Sequence, residues 1–165
     1  MNDWRKDLLK FHQGDNPDDS NPPVFGPPAT PEAIAAFEKS VGLRMPQEFH
    51  ELYLQVDGFG QMYNGEILWY VVPLAELAEH VAGRRDWFQK THPDLARGYV
   101  PFFDWANGDS CGYLFSKSGA MVPGLFMFEH EEYEFEEDQD PEDFLSLTDE
   151  SFRHFIRDIG TPTGE

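Results

Sequence analysis

The stretch TPEAIAAFEKSVGLRMPQEFHELYLQVDGFG, residues 30–60, decides the fold, because it contains two short helices with their own start and stop signals. Thr30 is a good N-cap residue, Pro31 suits the first helical position, and Gly42 can end the helix with a positive φ. Pro46 opens a second helix in the same manner, and two glycines follow its end. Apolar residues recur at helical spacing in both helices, which predicts one buried face on each. These residues are Ile34, Ala35, Phe37 and Val41 in the first helix and Phe49, Leu52, Tyr53 and Val56 in the second.

Apolar patterns on either side of this stretch predict the remaining elements. Further helices are expected over 3–12 (with Trp4, Leu8 and Phe11 on one face), from Pro73 to a stop at Gly83, and near the end of the chain (with Phe152, Phe155, Ile156 and Ile159 on one face). Strands are expected over 65–72, 99–105, 112–116 and 124–135. Short turns separate the last three strands, which favours antiparallel neighbours. The sequence thus predicts an α+β fold: a mostly antiparallel sheet, with a mixed sheet as the alternative, surrounded by two N-terminal helices, a middle helix and a C-terminal helix.

The proline-rich stretch 14–31 has the composition of an extended connection, although Val24 and Phe25 can attach it to the body. A chain of 165 residues with 40 % hydrophobic side chains suits a single core. We therefore expect residues 1–29 to form an N-terminal helix and proline-rich extension, and residues 30–165 to form a single domain.

The charge of the chain restricts its partners. There are 31 acidic and 12 basic side chains, which gives a net charge of -19. Such a surface repels nucleic acid phosphates and anionic lipids, so direct nucleic acid or membrane binding is not expected, whereas a cationic protein partner is favoured. The alternative is that the acidity only keeps a cytoplasmic protein in solution. The N-terminal residues have no apolar run typical of a secretory signal, so a cytoplasmic location is expected.

The stretch FMFEHEEYEFEEDQDPED, residues 126–143, begins with apolar residues and then becomes almost continuously acidic. If Phe126 and Phe128 face the core, strand parity would turn Glu132 and Glu134 inward, so the strand should end or bulge near His130. The acids that follow are interpreted as a docking face for a cationic partner, with two aromatic anchors among them, and a solvated loop is the alternative. The candidate partner-binding residues are Glu129, Glu131, Glu132, Tyr133, Glu134, Phe135, Glu136, Glu137 and Asp138.

Metal binding and catalysis have weaker support in the sequence than partner binding. Strand parity would place His130 opposite Glu129 and Glu131, so these residues and nearby Asp138 do not predict a metal site, and no metal or other cofactor is expected. With Cys111 as the single cysteine, a disulfide within the chain is excluded, and a lone cysteine in a turn is more typical of an inert small residue than of a nucleophile. No catalytic residue is therefore predicted.

The tripeptide Asn107-Gly108-Asp109 lacks the lysine and the following helix of a phosphate-binding loop. Gly108 is expected to have a positive φ, and Asn107 or Asp109 is expected to hydrogen-bond the turn backbone. We interpret the tripeptide as a structural turn.

Several of these motifs together resemble the SUKH superfamily, specifically its Smi/Knr branch. The matching features are the stretch of residues 30–60 with its Leu-x-x-Pro-x-x-Phe step, VPFFDWANGDSCGYLF, GLFMFEHEE and the closing helix SFRHFIRDI, over roughly residues 30–159. The resemblance implies a non-enzymatic α+β module. In bacteria such modules commonly serve as immunity proteins that neutralise a co-encoded toxin, often a nuclease, and eukaryotic relatives are regulatory interaction proteins.

Three functions are therefore considered. The first is a cytoplasmic immunity protein that binds a basic toxin, for example a nuclease, through the acidic face. The second is a regulatory scaffold of the same fold with no toxin, in which residues 1–29 recruit a client, and the third, least favoured, is a carboxylate-dependent hydrolase.

Overall fold

Seven strands form one antiparallel sheet in the computed structural model, which describes residues 3–15 and 21–159. The strands are β1 (Pro23–Phe25), β2 (Phe59–Tyr63), β3 (Glu66–Val71), β4 (Tyr99–Asp104), β5 (Ser110–Phe115), β6 (Met121–Phe128) and β7 (Leu145–Asp149), and the helices are α1 (Trp4–Asp15), α2 (Pro31–Val41), α3 (Gln47–Gln55), α4 (Leu74–Phe88), α5 (Pro93–Gly98) and α6 (Phe152–Ile159). The spatial order of the strands is their order in the chain. Every pairing is antiparallel, which confirms the predicted α+β class and decides against a mixed sheet.

The two helices of residues 30–60 follow from their capping residues. Thr30 Oγ1 accepts a hydrogen bond from the Ala33 amide at 3.1 Å, and Gly42 ends α2 with a φ of +70°. α3 begins after Pro46, and Phe49, Leu52, Tyr53 and Val56 are all completely buried. These predictions are confirmed, except that Ala35 of α2 is exposed.

The larger core lies between one face of the sheet and the helices. It takes apolar residues from α1, α2, α3, α4 and α6, including Trp4, Leu8 and Phe11. The ring of Trp4 stacks on that of Phe152 in α6 at a centroid distance of 5.7 Å. The described part of residues 1–29 therefore contributes to the same core as the rest of the chain. The side chain of Ile159, predicted on the buried face of α6, lies outside the described part.

A smaller core lies on the opposite face of the sheet. Side chains alternate between the faces along a strand, so Tyr113 of β5 points into the larger core while the neighbouring Leu114 contacts the smaller one. The smaller core consists of Phe88, Ala96, Tyr99, Phe128, Tyr133, Phe144 and Leu145. It joins the end of α4 and α5 to the chain that follows β6, and this junction positions the acidic stretch.

The structure differs from the predicted elements in several places. α4 passes through Gly83 and ends only at Phe88, because a single exposed glycine costs about 1 kcal/mol in a helix and burial of Phe88 fixes the last turns. β1, β2, β7 and α5 were not predicted, although Val24 and Phe25 of β1 were expected to attach the chain to the body. The hairpin of β2 and β3 has a sequence signal nonetheless, since Asn64 and Gly65 both adopt positive φ in its turn.

β6 ends at Phe128, so the end of the strand near His130 is confirmed and its extension to residue 135 is wrong. Across the part of the chain that the structure describes, none of the helices combines the length and apolar character needed to cross a bilayer.

Candidate partner-binding surface

The acidic segment, residues 129–143, leaves the sheet directly after β6 and returns to it at β7. It contains two short 3-10 turns, His130–Glu132 and Pro141–Asp143, and no strand. All ten of its carboxylates are exposed to solvent. The strand parity used to argue against a metal at Glu129, His130 and Glu131 therefore does not apply, because these residues are not in a strand.

The turn at residues 107–109 fixes the beginning of the acidic segment. Gly108 has a φ of +102°, and the Asn107 Oδ1 atom accepts a hydrogen bond from the Asp109 amide at 2.9 Å. The Asp109 carboxylate in turn accepts hydrogen bonds from the backbone amide and from Nδ1 of His130, at 3.0 and 2.6 Å. A side chain at residue 108 would collide with the His130 ring, since its Cβ would lie 2.7 Å from Cγ. The turn thus fixes the position of the His130 side chain.

Tyr133 anchors the acidic segment to the protein from within. Its side chain is only 5 % exposed, and its hydroxyl donates a hydrogen bond to the backbone carbonyl of Trp87 at 2.7 Å. A second hydrogen bond, 2.5 Å long, joins the Tyr133 hydroxyl to Thr91. The prediction of Tyr133 as an exposed interface anchor is therefore wrong, because burial in the smaller core removes its ring from any partner.

Gln139 closes the acidic segment into a compact loop. Its side-chain amide donates to the Glu132 carbonyl at 2.7 Å and accepts from the Glu134 amide at 2.9 Å. Its backbone carbonyl accepts a hydrogen bond from Nε2 of His92 at 2.8 Å. No sequence pattern indicates the contact between His92 and Gln139, because 47 residues separate them and neither belongs to a recognisable motif.

Phe135 is the most prominent apolar residue on this loop. Its side chain is 62 % exposed, although its ring also contacts that of Tyr133 at a centroid distance of 4.3 Å. The backbone of Phe135 has a φ of +60°, which is rare for a bulky residue and costs on the order of 1–3 kcal/mol. Gln139 bonds to Glu132 and Glu134 before residue 135 and to the Glu136 carbonyl after it, and these contacts hold this conformation.

In the described part of the chain, the carboxylates of the loop are not paired with cations. Over residues 3–15 and 21–159, no ion pair connects any of the ten carboxylates to a Lys, Arg or His side chain. The one histidine of the segment is paired with Asp109 instead. The result is a fixed, exposed surface of like charges with a single aromatic ring at its centre.

The structure also locates the groups considered for catalysis or metal binding. Cys111 is completely buried in the larger core, and burial raises the pKa of its thiol well above the ordinary value. Within the described ranges, no three His, Cys, Asp or Glu side chains converge on a possible metal position. The acidic segment therefore remains the best candidate for a functional site.

Fold and surface together define a class of protein: an α+β module in which a single antiparallel sheet carries an ordered acidic loop. The model of the SMI1/KNR4 family (SUKH-1) matches residues 28–158, and the chain belongs to this family. The resemblance to the Smi/Knr branch is thereby confirmed. No match to the chain was found among curated proteins.

Proposed function

We propose that this protein is a cytoplasmic immunity protein that neutralises a cationic toxin by binding it through the acidic segment. Membership of the SUKH-1 family supports an immunity-type protein. The observation that carries the proposal is the set of ten exposed carboxylates on one loop, with no cation paired to them within the described residues. Such a concentration of like charge opposes folding, so a binding role gives a reason for its presence.

The order of the loop matters as much as its charge. Binding costs less free energy when the binding groups already have their bound conformation, and Tyr133, Gln139 and the Asp109–His130 contact provide this order. A rigid negative loop also accelerates encounter with a positive surface. If the toxin is a nuclease, the carboxylates lie where the phosphates of its substrate would bind, and the enzyme is blocked without any reaction.

We assign the contact to the exposed part of the predicted set. The carboxylates attract and orient the partner, and Phe135 enters an apolar pocket on it, as aromatic anchors at the centres of interfaces do. Tyr133 does not contact the partner; its buried ring packs against Phe135 and holds the loop in place. In this proposed mechanism the protein neutralises the toxin by binding alone and catalyses no reaction.

A protection assay tests this function. Cells that produce the toxin domain encoded by the neighbouring reading frame should survive with the wild-type protein. Protection should be lost with the triple variant Glu134→Lys, Glu136→Lys and Glu137→Lys, and weakened with Phe135→Ala. A matched triple variant at exposed acids elsewhere (Glu66→Lys, Glu79→Lys and Asp158→Lys) has the same net charge and should still protect.

Two results would count against the proposal. Full protection by the first triple variant would remove the acidic segment from the mechanism. Binding without protection would instead favour a regulatory scaffold of the same fold.

A further inference from the structure

A cleft of about 630 Å³ lies on this acidic protein between the end of α2, α4, α5 and the turn that joins β5 to β6. Three cations line it: Arg85, Arg97 and Lys117. Two acids, Asp86 and Asp94, line it as well, so the cleft has one net positive charge on a chain whose net charge is -19. Its volume is within the range of small-molecule sites.

Among the residues that the structure describes, Arg85 has no counter-charge. Its Nε donates to the Tyr99 carbonyl at 3.3 Å, but its Nη2 is buried and has no hydrogen-bond acceptor within this part of the chain. Burial lowers the pKa of its guanidinium, and across the described ranges no carboxylate forms an ion pair with it. A buried charge without a partner is costly, so this position favours an anion from outside the chain.

Arg97 and Lys117 share a single carboxylate at the mouth of the cleft. Arg97 Nη2 donates to Asp94 Oδ1 at 2.5 Å, and Lys117 Nζ lies 3.3 Å from Asp94 Oδ2. Both cations are more than two-thirds exposed, so their bonds to Asp94 compete with water and are easily exchanged for another oxyanion. The hydroxyls of Ser116 and Ser118, which are hydrogen-bonded to each other at 2.9 Å, lie next to them as neutral polar groups.

From these groups we propose that the cleft binds a small phosphate-bearing ligand, with Arg97 and Lys117 on its oxygens and the charge of Arg85 behind them. Guanidinium and ammonium groups with hydroxyls around them are the usual partners of phosphate oxygens. Asp94 acts as an internal competitor that holds the two outer cations while the cleft is empty. This binding site is separate from the acidic segment and does not depend on the proposed immunity function.

Titration of the full-length, ¹⁵N-labelled protein with pyrophosphate at constant ionic strength tests the proposal. We expect saturable NMR shift changes at the amides of Arg97, Lys117 and Gly119. Replacing both outer cations (Arg97→Gln with Lys117→Gln) should weaken binding about tenfold, because two charge-assisted hydrogen bonds are lost. The control Lys10→Gln removes one exposed charge on α1 and should leave the affinity unchanged.

The variant Asp94→Asn should change the affinity for pyrophosphate in the opposite direction. It frees both outer cations, and pyrophosphate should then bind about three- to fivefold more tightly. Both cations are exposed, so none of these variants is expected to disturb folding. No saturable shift at the cleft, or weaker binding by Asp94→Asn, would overturn the proposal, and binding of citrate as tight as that of pyrophosphate would overturn the assignment to phosphate.

Discussion

The rings of Tyr133 and Phe135 are in contact, yet Tyr133 is buried and Phe135 is exposed. In a strand both would point the same way. The positive φ of Phe135 and the 3-10 turn before Tyr133 break that relation. A left-handed phenylalanine has no sequence signal, because its cost is offset by the distant contacts of Gln139 and His92 rather than by its neighbours.

At Cys111, burial predicts an unreactive thiol. The side chain is completely buried and its pKa is raised by desolvation, so little thiolate exists and reagents cannot reach it. A thiol-specific reagent at about pH 8 should leave the folded protein unmodified and should label it fully in denaturant. Rapid labelling of the folded protein would show that the core around Cys111 opens.

His154 should titrate above the ordinary range. Its Nδ1 donates to the Asp149 carboxylate at 2.5 Å, and this hydrogen bond, together with the negative charge of Asp149, raises the pKa of the imidazole. NMR titration of the ring should show a lower pKa in Asp149→Asn than in the wild type. An identical pKa in the two proteins would contradict the contact.

The same contact has a defined effect on stability. Because the folded pKa of His154 lies above the unfolded one, its stabilisation is complete below the unfolded pKa and is lost as pH rises through the folded pKa. The stability difference between wild type and His154→Gln should therefore be larger at about pH 5.5 than at about pH 9. Urea unfolding at the two pH values measures it.

At the scale of elements, the chain is predictable where the signals are local. α2 and α3 follow from Thr30, Pro31, Gly42 and Pro46, because caps and prolines act within one turn. The end of β6 near His130 also follows from local composition. α5 and β7 could not be predicted in this way, since they have only 6 and 5 residues and depend on contacts with the smaller core.

The position of the acidic segment depends on the turn at residue 108, which predicts a sensitive glycine. Gly108→Ala combines an unfavourable positive φ with a collision against the His130 ring, so it should cost about 1–3 kcal/mol of unfolding free energy. Gly65→Ala is the matched control, because Gly65 has a φ of +81° but open space around it. In urea unfolding, Gly108→Ala should lose more stability than Gly65→Ala, and equal losses would mean that the His130 contact contributes nothing.

At the scale of the whole molecule, α1 belongs to the larger core although it precedes the region matched by the family model. The domain boundary at residue 30 remains a prediction, and deletion of residues 1–29 would also remove buried Trp4, Leu8 and Phe11. That deletion therefore cannot separate an immunity protein from a scaffold whose N-terminal extension recruits a client.

Point substitutions on α1 test its contribution. Trp4→Ala should cost about 3–5 kcal/mol of unfolding free energy, because the ring is completely buried against Phe152. Leu9→Ala on the same helix removes a side chain that is 37 % exposed and should cost much less. Similar small losses for both variants in urea unfolding would mean that α1 is not part of the core.

The proposed function requires that the acidic segment itself, and not only the net charge of the molecule, captures the partner. The most direct measurement is the association rate with the toxin domain by stopped flow, over a range of salt concentrations. At low salt the triple variant of Glu134, Glu136 and Glu137 to Lys should associate about 10- to 100-fold more slowly than the wild type. The matched variant at Glu66, Glu79 and Asp158 should change the rate far less, and equal rates for the two triple variants would contradict the account.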